Sequence, residues 1–119
     1  MIYFPDHLDR TEARIISRLI TAILTQSPVS LFVRVHDGEE WATDWTRDRR
    51  TISEAVAATE ETRFALAETE TAEGGAMHRF GSIWLIHGNG EDVISDASFS
   101  IKRENAEAII DALIDHANR

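Results

Sequence analysis

The sequence predicts an α+β domain: an antiparallel sheet of about five strands with helices on one face, in the order α-β-β-α-β-β-β-α. Three observations carry that expectation. Apolar residues recur at three- and four-residue spacing near both ends of the chain, while β-branched and aromatic residues crowd its middle. Two turn signals, Asp37-Gly38 and Asn89-Gly90, sit between such runs, and tight turns join antiparallel strands. With 119 residues and no cysteine, the chain reads as one domain, 1–119, able to bury a core without disulfides or a structural metal.

The first element is a helix over 9–26. Ile15, Ile16, Leu19, Ile20, Ile23 and Leu24 form one apolar stripe. Asp9 and Glu12 offer a capping box at its start, and Pro28 stops it. A hairpin follows, pairing 29–35 with 41–46 around His36-Asp37-Gly38-Glu39-Glu40. A two-residue turn would separate Trp41 and Trp45 from Leu31, Val33 and Val35. A longer, odd-numbered loop gathers all five on one face and is the expected register, because a one-residue slip moves a whole side-chain set between core and solvent. It leaves Arg34 and Asp44 close together on the other face.

Thr51 and Glu54 suggest a second capping box opening a short alanine-rich helix through about Thr59. A third strand over 62–69, a loop at Gly74-Gly75 and a hairpin over 80–99 come next. Ala106, Ile109, Ile110, Leu113, Ile114 and Ala117 then mark a closing amphipathic helix over 102–118, with Ser100 as a possible cap.

The 80–99 hairpin carries the densest chemistry. If Asn89-Gly90 forms a two-residue turn, Leu85 faces Ile94, Ile86 faces Val93 and His87 faces Asp92. His87, Asp92 and Asp96 then share a face with Ile83, Leu85 and Ile94, leaving Trp84, Ile86, Val93, Ala97 and Phe99 as the core side. Imidazole beside carboxylates suits acid–base chemistry or a divalent cation, which makes His87, Asp92 and Asp96 the catalytic candidates. The alternative is a cross-strand polar pair beside a soluble turn. No metal or cofactor is expected, since the cluster lacks ligand spacing and does not match the calcium-loop pattern.

Other groupings are open to a simpler reading. His36, Asp37, Glu39, Glu40 and Asp44 make a second acidic tip, which could meet His87 if the strands point the same way. Trp41, Trp45 and Trp84 could line an apolar pocket, although strand aromatics are commonly core. Arg47, Arg49 and Arg50 precede the second helix, where they could hold an anion or pair with Asp44 and Asp48. On the long helices, Arg10, Arg14 and Arg18 make a basic stripe, and Glu104, Glu107, Asp111 and Asp115 an acidic one. Complementary stripes that can pair within the fold or across a homodimer are the expected interaction residues.

A net charge of −9 repels nucleic-acid backbones, so no nucleic-acid partner is expected unless a basic patch is segregated on one face. Lys102 is the only lysine, which removes most lysine-dependent chemistry. No nucleophile elbow, Walker A loop, dinucleotide fingerprint or His-Glu-x-x-His motif is present. No apolar run approaches the ~20 residues that span a bilayer, and the first residues lack a secretory pattern. A cytoplasmic protein with no membrane partner is therefore expected.

The run Ile86-His87-Gly88-Asn89-Gly90-Glu91-Asp92-Val93-Ile94-Ser95-Asp96 resembles a segment in small bacterial proteins, some associated with plasmids or phages. That resemblance implies no activity. In size, charge and element order the chain is also similar to dimeric type III secretion chaperones, which hold a partner chain in extended form. Its strands divide two and three around the middle helix, where that family has three and two. The leading functional expectation is a non-enzymatic protein-interaction module, acting on a protein partner or on itself as a homodimer. The alternatives are a chaperone-like dimer, a metal-dependent or acid–base enzyme at the 87–96 hairpin, and an acidic DNA mimic.

Overall fold

A computed structural model describes residues 9–56, 60–71 and 74–119. Helix α1 spans Arg10–Thr21 and continues into a π-helical turn at Ala22–Gln26. The Asp9 carboxylate accepts the Glu12 N–H at 2.8 Å, satisfying one orphan donor of the first turn. Helix α2 spans Arg49–Glu54. Its cap is Asp48, three residues before the expected Thr51, because the Asp48 carboxylate reaches both the Thr51 N–H and hydroxyl. The expected end of this helix, near Thr59, lies outside the described residues.

Four strands form one antiparallel sheet in sequence order: β1 (Phe32–His36), β2 (Glu61–Thr71), β3 (Gly74–Ile86) and β4 (Ile94–Phe99). The α+β class stands, but the expected fifth strand is absent among the described residues. Segment 41–46 touches β1 only through isolated bridges, His36 to Trp41 and Val33 to Thr46. Side chains interrupt that ladder: the Thr43 hydroxyl takes the Val35 N–H, and the Asp44 carboxylate takes the Trp45 N–H.

The helices and the core lie on one side of the sheet. Ile16, Leu19, Ile20 and Ile23 pack with Val33, Val35, Phe64, Leu66, Ile83 and Leu85, joined by Ile52, Val56, Ile110 and Leu113. Each such side chain contributes about 1.5–3 kcal/mol when fully buried. Bulges keep the ladder in phase with this core. Leu66 pairs with Gly81 and Ala67 with Arg79, so the extra residue Phe80 turns inward with Gly81 while Arg79 faces out.

Helix α3 spans Ala106–Ala117, starting later than expected and without a Ser100 cap. The chain first makes a turn, with the Arg103 N–H donating to the Ser100 carbonyl. Asn105 enters the helix at φ 64°, a left-handed conformation that asparagine tolerates. Arg103 points back at the sheet, pairing with Glu68 at 2.5 Å and lying 5.3 Å from the Phe80 ring centroid.

The 80–99 hairpin keeps its expected Leu85–Ile94 pairing and an Ile86 N–H to Val93 bond. Its faces, however, are reversed on β3, whereas Val93 is buried in the core as expected and Ala97 packs against it. Ile83 and Leu85 are fully buried, while Trp84 and Ile86 occupy the helix-free side. Both alternating sets are apolar, and the polarity of His87 makes its own face read as the solvent side. Instead His87 shares a 2.8 Å hydrogen bond with the buried Thr62. The tip is not a two-residue turn: His87 N–H goes to Glu60, Gly88 N–H to Glu12, and Gly90–Asp92 forms a 3-10 turn.

Candidate functional site

The three catalytic candidates do not converge. His87 turns toward Thr62 on the helix side of β2. Asp96 pairs across from Trp84 on the helix-free side, and Asp92 is exposed in the 3-10 turn. Among the described residues, no three histidines or carboxylates are arranged to hold a metal ion. His36 and His87 do lie toward the same end of the sheet, since β1 and β3 both run antiparallel to β2. They stand on opposite faces of it.

The carboxylate that does bind this tip belongs to Glu12. Only 2% exposed, it accepts the Gly88 N–H at 2.8 Å across 76 positions of sequence. Burial, then its hydrogen bond with Asp9, raise the Glu12 carboxyl above its ordinary pKa, while Asp9 is lowered by that same bond. Glu12, bonded to Asp9 on one side and to the Gly88 N–H on the other, holds α1 to the hairpin.

The arginines around the start of α2 are also structural. Arg47 donates to the carbonyls of Leu31 and Leu24, and Arg49 to Ser17 and Thr21. Of these acceptors the Leu24 carbonyl lies in the last turn of the first helix, where intrahelical partners run out and the helix dipole favours cations. Arg50 pairs with Glu54 at 2.9 Å.

The charge stripes sit side by side, because α1 packs on α3. Arg10, Arg14, Arg18, Glu104, Glu107, Asp111 and Asp115 are all exposed. Among the described residues no ion pair joins one stripe to the other; Asp115 pairs instead with Arg119.

The helix-free face has a distinct composition. Strand parity puts His36, Arg63, Trp84 and Asp96 in one row across the sheet, Arg34, Ala65, Ser82 and Ser98 in the next, and Phe32, Ala67 and Arg79 in a third. Trp41 joins them from the segment bridged to β1. The Arg34 guanidinium carbon lies 4.4 Å from the Trp41 ring centroid, and that of Arg63 lies 5.0 Å from the same ring and 5.7 Å from Trp84. His36 meets Trp41 edge-on at 5.1 Å.

No protein-family model matches the chain, and neither a curated protein nor a solved structure matches it significantly.

Each guanidinium–indole contact contributes about 0.5–1 kcal/mol when exposed and more when desolvated. The contacts fix the cations in place while leaving their charge unpaired. No described carboxylate lies within 4 Å of Arg34, Arg63 or Arg79. Arg34 donates to the Thr43 carbonyl, Arg79 to the Ser82 hydroxyl, and the buried Arg63 Nε has no hydrogen-bond partner. In a chain of net charge −9, Arg34, Arg63 and Arg79 lie together on the sheet face that no described helix covers.

Sequence reasoning brought Trp41 and Trp84 together as possible pocket walls but missed Arg34 and Arg63. Their signal is strand parity: each alternates with core residues, Val33 and Val35 in β1 and Phe64 in β2.

Proposed function

We propose that this protein is a non-enzymatic protein-interaction module that binds an acidic segment of a partner protein across its helix-free sheet face. The observation that carries this is the arrangement of Arg34, Trp41, Arg63 and Trp84. Two guanidiniums lie against one indole with no described carboxylate between them, so their mutual repulsion is relieved by an anionic ligand. Because the stack already orders both arginines, little side-chain entropy is lost on binding. The exposed Ser98 continues this surface onto β4, in line with Arg34 across the sheet. Glu61 and Asp96 share this face, and carboxylates there disfavour the continuous phosphates of a nucleic acid.

The test is capture from the native host's extract by the wild-type chain and by an Arg34→Gln/Arg63→Gln double variant. Proteins retained by the wild type and lost by the variant support the reading. Identical retention, or retention of nucleic acid, would refute it.

A homodimer is a second reading, favoured by exposed stripes of opposite charge on adjacent helices that form no described ion pair with one another. A two-fold axis parallel to α1 and α3 brings the arginines of one copy opposite the carboxylates of the other, twice over. Exposed ion pairs contribute only about 0–1 kcal/mol each and are screened by salt. Light scattering should therefore give a dimer at low ionic strength that dissociates as salt is raised. A monomer at low salt and high concentration removes this reading.

A further inference from the structure

We infer that the end of β4 and the loop leading into α3 form a second docking site, which takes a basic, apolar segment of another protein in extended form. The exposed large hydrophobic residues among those described are Phe99 and Ile101, and Ile101 is 94% exposed. A burial pattern that hides nearly every other large apolar side chain leaves these two adjacent, at the mouth of a groove of about 620 Å³ between the loop and the start of α3. Exposed apolar side chains beside a concavity are the usual mark of a contact surface.

Charge selects the occupant. Glu104, Glu107 and Asp111 rim the groove, and no described cation lies within 4 Å of any of them. The nearby Arg103 is committed to Glu68. Exposed apolar side chains beside carboxylates that form no described ion pair fit an apolar side chain flanked by lysine or arginine.

Backbone geometry selects the extended form and limits its length. The Ser100 N–H bonds to Phe80, and alternation along an antiparallel ladder then turns the Phe99 and Ala97 N–H groups toward the free edge. The Asp96 carboxylate occupies the Ala97 N–H at 2.8 Å, and a bulge breaks the edge at Ser95, both of which block strand addition along the middle of β4. The Phe99 end stays open beside the groove, where an incoming strand can pair briefly and place one side chain against Ile101. A second copy of this chain is the poorer occupant: joining two β4 edges brings both sets of Asp96, Glu104, Glu107 and Asp111 together. The site is separate from the arginine face.

A phage-displayed random dodecapeptide library selected on the full chain tests this. Enriched peptides are expected to combine apolar residues with lysine or arginine. Calorimetry should show their affinity falling about ten-fold or more in Ile101→Ser and in Glu107→Lys/Asp111→Lys, and holding in Arg34→Gln/Arg63→Gln. Ile101, Glu107 and Asp111 are solvent-exposed, so folding is preserved in these variants. Failure to enrich any basic, apolar peptide, equal affinity for Ile101→Ser, or a wild-type dimer that Ile101→Ser converts to monomer would each overturn the inference.

Discussion

The Glu12 carboxylate accepts a hydrogen bond from the Gly88 backbone at 2.8 Å, tying the first turn of α1 to the tip of the last hairpin. Glu12→Ala should lower stability by about 1–2 kcal/mol by leaving the Gly88 N–H without its acceptor. Glu12→Gln keeps an acceptor for Gly88 and a donor for Asp9.

The same contact sets a pH dependence. Because burial and Asp9 raise the folded-state pKa of Glu12 above 4.5, the fold disfavours its ionised form. Its contribution is fully present below 4.5 and is lost as pH rises through the raised value. Asp9 is shifted the other way, so its contribution is lost as pH falls below about 3.8. Urea midpoints measured across this range should show Glu12→Gln gaining on the wild type above pH 4.5. A constant difference between the two proteins contradicts the assignment.

Gly81 is fixed by close packing. A Cβ there would overlap the Ser98 carbonyl oxygen and Ile110 Cδ1, where β3, β4 and α3 meet. Gly81→Ala should cost about 1–3 kcal/mol by overpacking, read as a lower thermal midpoint. Gly90→Ala meets no neighbouring atom, and its cost should come only from the positive φ of that turn.

Asp96 guards an edge. Removing its carboxylate in Asp96→Ala frees the Ala97 N–H on the outer side of β4, so the variant should self-associate at concentrations where the wild type does not change size. Size-exclusion chromatography with light scattering reads this directly. An unchanged elution at high concentration would assign the Asp96–Ala97 contact no protective role.

Much of the architecture is legible in the residues. The apolar stripes of α1 and α3 and the capping carboxylate of Asp9 announce themselves through helical periodicity and local chemistry. The Leu85–Ile94 pairing follows from the turn signal. What is not legible depends on partners distant in sequence. Thr62 makes His87 an inward residue, and Thr43 and Asp44 dissolve a strand by bonding backbone groups that the ladder would use. Glu12 takes the N–H that would help close a tight turn. The arginine face is hidden for a related reason: Arg34, Trp41, Arg63 and Trp84 meet only after three strands and a bridged segment are in register.

The most direct measurement of the central claim is an amide NMR titration of the labelled chain with the partner segment that it captures. Shifts should cluster at Arg34, Trp41, Arg63 and Trp84, with both indole N–H signals moving, and affinity should fall about ten-fold or more in Arg34→Gln/Arg63→Gln. Shifts confined to α1 and α3, with unchanged affinity in that variant, would contradict a binding role for the helix-free face.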